Sequence, residues 1–552
     1  MTEQAPPVTR EGPEPRAQPR PSSGVGRAAV LIAVLTVVAR LLGLGRQLVF
    51  AHTVGAYCLG SAYVTANQVP NIIYDIVLGG ALTSVMVPVL ARPAQRAAAD
   101  PPAARRVGQT SSALLTWTIL ILVPAAAVIA LAAGPIAGLL LPAHPGAGCG
   151  RADMVAVTGR MLVVFAPQVL FYGLAIVLYG ILQAHRRFTA PALAPVISSL
   201  VVISAYLLFV PFGRGYRIHL TGLPASAELI LAVGTTAGVA ALMLTALVPV
   251  VRLRVRVRPT LRFPPGVARQ AWGLAGFGIA ALVTQDVSGL VVVRLANGSS
   301  ALGAVVLYGY GWQIFESIYA VLAIPIIISA FPVLSARDGA EFDETAAGST
   351  RAVLLMSCLG AALLAAVAMP AARFFAGPGQ AVPLALGFAA FAPGLIGYGL
   401  AACLSRVLLA GGRTAVAAAA MSGGWLVVIA ADVALVYLAP ARWVVAALGL
   451  GNTIGMTAAG IALVAAVRRV RGSAALRATA RAAAAGVTAA AAGAAAGGLA
   501  GYALPSSGLI VDCAAAVAAA VSAAAIFGLV AALLDGGELR AALAGVRRAA
   551  LR

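Results

Sequence analysis

The sequence predicts an all-α polytopic membrane protein. Of its 552 residues, 61% are hydrophobic and only 10% are charged, and the mean hydropathy is +0.97. This composition is typical of membrane proteins and lies outside the range of globular domains. The apolar residues fall in long runs bounded by charge, proline or glycine. Because a bilayer core of about 30 Å needs about 20 apolar residues per helix, each run predicts a membrane-spanning helix.

The runs predict about fourteen spans joined by short loops. Residues 1–26, rich in proline and without an apolar run, predict a disordered cytoplasmic tail rather than a signal peptide. The spans, numbered in chain order, cover residues 28–50, 61–91, 109–133, 154–183, 189–212, 227–251, 267–297, 302–334, 350–370, 381–410, 414–438, 443–467, 482–503 and 508–534.

The arginines predict the orientation of the chain. All 38 basic residues are arginine, and if the N-terminus is cytoplasmic, 28 of them fall in the tails and the turns after even-numbered spans. The clusters "VRLRVRVRPTLR" after span 6 and "RRVRGSAALRATAR" after span 12 are the densest. By the positive-inside rule both termini are expected to be cytoplasmic. No solvated domain gathers the charge of +21, so nucleic acid is not an expected partner.

The five cysteines are scattered along the chain. Cys58, Cys149, Cys358, Cys403 and Cys513 form no CxxC pair and have no His-rich neighbours. Neither a metal site nor a disulfide framework is therefore indicated. We expect these residues to pack as small hydrophobic side chains.

The chain contains an internal repeat. A shift of 226 residues aligns "LQAHRRFTAPALAPVISSLVVI" at residue 182 with "LLAGGRTAVAAAAMSGGWLVVI" at residue 408, and "PVLAR" ending span 2 echoes "PVLSAR" ending span 8. Both matches relate spans six apart, and an even offset preserves orientation, so the repeat is parallel. We expect two six-helix lobes in residues 27–255 and 256–470, followed by spans 13 and 14 and a basic tail in 471–552.

Span 1 carries two arginines, Arg40 and Arg46, at membrane depth. At about 1.5 Å per residue, Arg40 lies ~18 Å beyond Ala28, past the bilayer midplane. A charge at that depth costs about 2.5–3.5 kcal/mol on insertion scales, so such residues usually face a cavity or a partner. Gly43 and Gly45 permit a bend that brings both arginines to one cavity. Alternatively, the arginine side chains extend to the outer lipid head groups, and this applies most to Arg46.

Span 2 carries a polar stripe of substrate-binding candidates. Asn67, Asn71 and Asp75 recur at every fourth position and so share one helix face. Such a stripe is equally typical of interhelical packing. Asp75 can also neutralise an arginine of span 1.

The second lobe mirrors this pattern. Arg294 in span 7 and Gln313 and Glu316 in span 8 are further substrate-binding candidates. Asp286 in span 7 and Asp432 in span 11 are candidates for ion coupling, because a lone intramembrane aspartate is typical of a proton or cation site. Pairing with a buried arginine explains either aspartate equally well.

Together these residues predict a transporter with a cationic cavity between two lobes. Guanidinium groups in a low dielectric grip a phosphate or diphosphate in bidentate fashion, so we expect an anionic substrate. No cofactor or metal is expected beyond a coupling cation or the membrane potential. Catalysis is not expected either, because the longest outer loop, residues 134–153, offers only Asp153 as an acidic residue.

The sequence resembles the MurJ/MviN flippases of the MOP exporter superfamily from about residue 28 to residue 470. The resemblance rests on "ARLLGLGRQLVFAHTVGA", "QVPNIIYDIVLGGALTSVMVPVLA", "YGILQAHRRFTAPALAPVISSL" and "SRVLLAGGRTA". It implies two six-helix lobes plus two helices, and transport of lipid II, a polyprenyl-diphosphate glycolipid, for cell-wall synthesis. It also implies that Arg40 and Arg46 hold the diphosphate and that Glu316 matches a glutamate of the family.

The chain departs from the family's pattern where charged residues are usual, at Gln47, Ser61, Tyr74, Gly79 and Gln313 among others. We take Arg294 as a replacement for one lost positive charge. Two other functions stay open: export of another polyprenyl-diphosphate glycan, and a non-transporting scaffold that recruits cell-wall synthesis proteins and binds membrane lipids through its basic turns. A related multidrug exporter of the MATE group fits the fold, but its cationic substrates favour an acidic cavity.

Overall fold

The computed structural model describes residues 23–77, 101–142, 148–185, 187–253, 258–263, 267–377, 379–503 and 508–550. Within these ranges every regular element is a helix, which confirms the predicted class. Helices satisfy all their backbone hydrogen bonds internally, as the lipid requires.

The first half of the chain forms eight helices in its described ranges: α1 Ser23–Thr53, α2 Cys58–Val77, α3 Pro101–Leu131, α4 Ala133–Leu140, α5 Arg151–Phe165, α6 Gln168–Ala184, α7 Thr189–Gly213 and α8 Ala225–Arg252. The described ranges of the second half add α9 Val267–Gly298, α10 Ala304–Leu322, α11 Ile324–Ser335, α12 Gly339–Ala366, α13 Ala368–Phe375, α14 Ala381–Phe391, α15 Gly394–Ala410, α16 Thr414–Leu438, α17 Val444–Arg471, α18 Thr479–Ala503 and α19 Leu509–Ala550. Short 3-10 turns occupy Arg214–Tyr216, Ala441–Trp443 and Ala474–Leu476.

The protein crosses the membrane many times. In the described ranges twelve helices are long and apolar enough to span a bilayer, or thirteen if α10 and α11, bent by 47°, form one span. Predicted span 2 does not pass the same test, because α2 carries the polar stripe and the rest of that span lies outside the described residues. The count of fourteen therefore stays a prediction.

The predicted parallel repeat is visible in the helix breaks and turns. A helix breaks at Ala166–Pro167 in the first lobe and at Ala392–Pro393 in the second. The Arg187 amide donates to the Leu182 carbonyl at 2.8 Å, and the Arg413 amide donates to the Leu408 carbonyl at 2.8 Å. Both correspondences keep the 226-residue offset of the sequence repeat.

The packing of the helices follows the same repeat. In the first lobe α1 packs on α7 and α7 on α8; in the second, α9 packs on α16 and α16 on α17. The last two helices, α18 and α19, pack on each other and on α12. Their close approach depends on Gly493 and Gly497, since a Cβ at either position would strike backbone of α19.

One expectation about the cysteines was wrong. Cys58 and Cys149 form a disulfide with a Cα separation of 5.6 Å. Cys58 begins α2 and Cys149 precedes α5, so the fold brings together residues 91 apart in sequence. Cys358 and Cys403 are buried free thiols, as expected of small hydrophobic residues, whereas Cys513 is exposed. We call this end of the bundle the disulfide end, and the opposite end, which holds the connection between α8 and α9, the linker end.

The two lobes are in contact at the disulfide end. The turn between α1 and α2 is buried at Val54 and Ala56. Gly303, with φ of +71°, lies so close to Ala56 that a Cβ there would overlap the Ala56 backbone. The Gln380 side chain bridges the same junction. The space between the lobes is therefore closed at this end.

Candidate functional site

A cavity of about 390 Å³ lies between the lobes. Arg46 of α1 and the α2 stripe line it on one side, and α10 lines it on the other. A smaller cavity of about 130 Å³ adjoins it, shares Asp75 with it and adds Asp286. The predicted site residues that line one or both cavities are Arg46, Asn67, Asn71, Asp75, Asp286 and Gln313.

The two arginines of α1 differ in their surroundings. The α1 helix is continuous from Ser23 to Thr53, and six residues of helix turn Arg40 and Arg46 about 240° apart. Arg46 is half-buried and lines the larger cavity, whereas Arg40 is exposed. Arg40 nevertheless lies within electrostatic range of Glu316. The bend that Gly43 and Gly45 permit is not needed for Arg46 to reach the cavity.

A group of tyrosines surrounds Arg46. Tyr63, Tyr172 and Tyr206 are all within electrostatic range of its guanidinium. The Thr235 hydroxyl donates to the Leu231 carbonyl at 2.7 Å, so it accepts from the Tyr63 hydroxyl at 2.7 Å.

The same network reaches the α2 stripe. The Tyr63 hydroxyl, which donates to Thr235, accepts from Tyr206 at 2.8 Å. Tyr172 donates to Asn71 Oδ1 at 3.2 Å. Among the described residues none forms an ion pair with Arg46. Its N–H groups are therefore available to an anionic ligand. Hydrogen bonds hold the tyrosines around it in position.

The cavity region carries charges of both signs. Asp75 lies within electrostatic range of Asp286 and of Glu316. Glu316 in turn lies within electrostatic range of Arg40. The sequence predicted a cationic cavity, but the cavities also carry carboxyl groups: Asp75 of α2 lines both of them and Asp286 of α9 lines the smaller one.

Four predicted site residues line neither cavity: Arg40 and Glu316, which lie within electrostatic range of each other, and Arg294 and Asp432. Arg294 is exposed near the disulfide end of α9, beside Gly298, and does not line either cavity. Asp432 is fully buried on α16, and in the described part of the chain neither of its carboxylate oxygens has a hydrogen-bond partner. It packs against Gly451 of α17, beside Asn452, whose side-chain amide is buried and equally without a partner.

Sequence reasoning missed the aromatic part of the site. Besides the tyrosines, Trp312 lines both cavities, and its ring lies 6.2 Å from that of Trp425 on α16. Aromatic residues fit the apolar runs of a spanning helix, so they give no periodic signal that separates a cavity from a core. The available signal was the polar tip of tyrosine, which needs a partner when it is buried in the membrane.

The family model of the lipid II flippase MurJ matches residues 50–506 of the chain. Among individual relatives, the lipid II flippase MurJ of Burkholderia cenocepacia is 27% identical over 185 residues, which is 34% of each chain. The probable lipid II flippase MurJ of Rhizobium meliloti is 26% identical over 356 residues, 63% of this chain and 62% of that protein. The match to the first of these relatives therefore spans about a third of its length.

Solved structures share the fold. A lipid II flippase MurJ in an inward closed conformation superposes with a TM-score of 0.67 at 16% identity, covering 90% of this chain and 98% of that one. An inward-facing MATE-family multidrug transporter of the MOP superfamily gives 0.61 at 14% identity, covering 80% and 99%. At such identities these two likenesses concern the fold. The family model, however, matches most of the chain, and the protein therefore belongs to the lipid II flippase MurJ family.

Proposed function

We propose that this protein moves lipid II across the bacterial cytoplasmic membrane by alternating access of its two lobes. The observation that carries the proposal is the position of Arg46, whose guanidinium lines a cavity between the lobes and has no ion-pair partner among the described residues. A guanidinium binds the diphosphate of a polyprenyl-linked sugar through two parallel hydrogen bonds. Membership of the MurJ family supports the same substrate.

The remaining cavity residues suit the sugar part of such a substrate. Asn67, Asn71 and Gln313 offer amide donors and acceptors to sugar hydroxyls. Asp75, Asp286 and Glu316 repel the diphosphate, so they favour its release once the lobes move. The polyprenyl chain stays in the bilayer, since its transfer to a polar cavity costs about 0.8 kcal/mol per methylene.

We place the disulfide end outside the cell and the linker end in the cytoplasm. The arginine distribution supports this orientation. The Cys58–Cys149 disulfide supports it independently, because disulfides persist on the oxidising side of the membrane. In this state the cavity is closed toward the outside by the contacts of Ala56, Gly303 and Gln380.

We propose Asp432 as the main ion-coupling residue, with Asp286 as the second candidate. The buried oxygens of Asp432, which have no hydrogen-bond partner among the described residues, fit a cation or a bound proton, because a buried carboxylate without a partner is costly. A bound cation or proton would supply the charge that stabilises one conformation of the second lobe.

A second candidate is export of another polyprenyl-diphosphate glycan for the cell envelope. The neutral residues Gln47, Tyr74 and Gln313 favour it, because they line the cavity where the family usually has charge. Cell-wall synthesis proteins are the proposed protein partners in either case.

Rescue of a bacterium depleted of its own lipid II flippase tests the proposal. The parent chain should restore growth, Arg46→Ala should not, and Arg214→Ala, which removes an exposed arginine at the disulfide end, should behave like the parent. Membrane insertion of each variant is confirmed by quantitative immunoblot. Rescue by Arg46→Ala would favour a scaffold, and no rescue by an inserted parent chain would favour a different glycan.

A further inference from the structure

Residues 258–263, between the two lobes in sequence, lie against α3. The Arg258 amide donates to the Ser112 hydroxyl at 2.9 Å, and the Thr260 amide donates to the Thr116 hydroxyl at 3.2 Å. Trp117 Nε1 donates to the Leu261 carbonyl at 3.1 Å. We call residues 258–263 the docked linker.

The spacing of these bonds gives the direction of the docked linker. Ser112 and Thr116 are one helix turn apart, about 6 Å along α3. Arg258 and Thr260 are two residues apart, about 6.6 Å in an extended chain. The two spacings match, so the docked linker runs parallel to α3 from the linker end toward the membrane interior. The hydroxyls of Ser112 and Thr116 each donate to a carbonyl one turn earlier on α3, which fixes them as acceptors for the linker amides.

The docked linker is both basic and apolar. Arg258 and Arg262 are exposed, as is Leu261 at 53%, and the indole of Trp117 beside them is 36% exposed. A tryptophan with one polar edge is typical of the membrane–water interface. The arginines are four residues apart, about 13 Å in an extended chain, so Arg262 lies farther along α3 than Arg258, and its long side chain can extend back toward the head groups.

The positive-inside rule accounts for arginines at this end, but it does not account for a segment fixed by three hydrogen bonds to a lipid-facing helix. An occupant of this surface needs negative charge for the arginines and a hydrocarbon part beside Leu261 and Trp117. None of the described side chains of α3 lines either cavity between the lobes, so a diphosphate bound there does not reach the docked linker. We propose that the docked linker binds anionic phospholipid of the inner leaflet through Arg258 and Arg262. This site does not depend on the transported substrate.

The test measures binding of phosphatidylglycerol and phosphatidylcholine to the full-length detergent-purified protein by native mass spectrometry. Each arginine near an anionic surface contributes about 1 kcal/mol, or about fivefold in affinity. Arg258→Gln with Arg262→Gln should therefore weaken phosphatidylglycerol binding by roughly 25-fold and leave phosphatidylcholine binding unchanged. Arg214→Gln, an exposed arginine at the disulfide end, is the matched control and should bind like the parent.

A second variant tests whether docking of the linker is needed, and a competitor tests whether the bound lipid occupies the substrate site. Ser112→Ala with Trp117→Phe keeps both arginines but removes two of the three hydrogen bonds that hold the docked linker, and should also reduce phosphatidylglycerol preference. Undecaprenyl diphosphate should not displace the bound phosphatidylglycerol. Equal binding of the two phospholipids to the parent, unchanged preference in the double arginine variant, or displacement by undecaprenyl diphosphate would each overturn the proposal.

Discussion

Gln380 of the second lobe donates its Nε2 hydrogens to the Ala56 carbonyl of the first lobe at 2.9 Å and to the Leu302 carbonyl at 3.1 Å. The first bond crosses between the lobes, and the second holds the amide in position. The Gln380 amide thus joins the α1–α2 turn to the start of α10 at the closed disulfide end.

Gln380→Ala should shift the protein toward states open at the disulfide end. Each lost hydrogen bond is worth about 0.5–1.5 kcal/mol, so the open population should rise roughly tenfold. The measurement is labelling of Asn67→Cys, in the cavity wall, by a membrane-impermeant thiol reagent applied from outside. Gln109→Ala, which changes an exposed glutamine of α3, is the control. If the Gln380→Ala variant and its parent were labelled at Asn67→Cys at equal rates, Gln380 would not stabilise the closed disulfide end.

Cys58→Ser should lower the thermal stability of the protein. Loss of a disulfide typically costs about 2–4 kcal/mol, and the loop-entropy model gives about 4.6 kcal/mol for a separation of 91 residues. The melting temperature is measured for the parent, for Cys58→Ser and for Cys513→Ser, which removes an exposed free thiol. Reductant should lower the value for the parent and for Cys513→Ser but not for Cys58→Ser. An unchanged melting temperature in Cys58→Ser would argue against the bond.

Tyr63→Phe should destabilise the hydrogen-bonded group of Tyr63, Tyr206 and Thr235 beside Arg46. Removal of its hydroxyl leaves the Tyr206 and Thr235 hydroxyls without this buried partner, which costs about 1–3 kcal/mol. We expect a lower melting temperature together with slower transport. Tyr437→Phe, at an 81% exposed tyrosine, should change neither quantity. A Tyr63→Phe protein as stable as the parent would show that the three hydroxyls do not support one another.

Asp432→Asn should keep the fold and remove ion coupling. The substitution preserves shape while it removes a carboxylate that has no partner in the described structure, so stability should be equal or higher. Transport in vesicles should then no longer respond to an imposed cation or proton gradient. A gradient response equal to the parent's would exclude Asp432 as the coupling group.

The sequence predicted the helical class, the parallel repeat and several polar residues that line the cavities. Arg46, Asn67, Asn71, Asp75 and Gln313 were identifiable because the lipid excludes polar groups from spanning helices, and because α2 repeats them on one face. Both constraints act within a single helix, so they can be recognised from the sequence without knowledge of tertiary contacts.

The remaining features depend on tertiary contacts. The Cys58–Cys149 pair joins distant segments, and no local spacing marks it. Arg294 was assigned to the cavity from its residue type alone, whereas its position along α9 places it near Pro142 at the disulfide end. The docked linker depends on hydroxyls of α3 that resemble any small polar residue of a membrane helix.

The most direct test of the account is a flipping assay with the purified protein in vesicles that contain lipid II. The exposure of lipid II on the outer leaflet is followed with a reagent that cannot cross the membrane. The parent should expose lipid II, Arg46→Lys should be slower because it keeps charge without bidentate geometry, and Arg46→Ala should lose on the order of 100-fold, equivalent to one or two charge-assisted hydrogen bonds. An Arg46→Ala protein that exposes lipid II at the parent's rate would contradict the claim that this arginine holds the substrate.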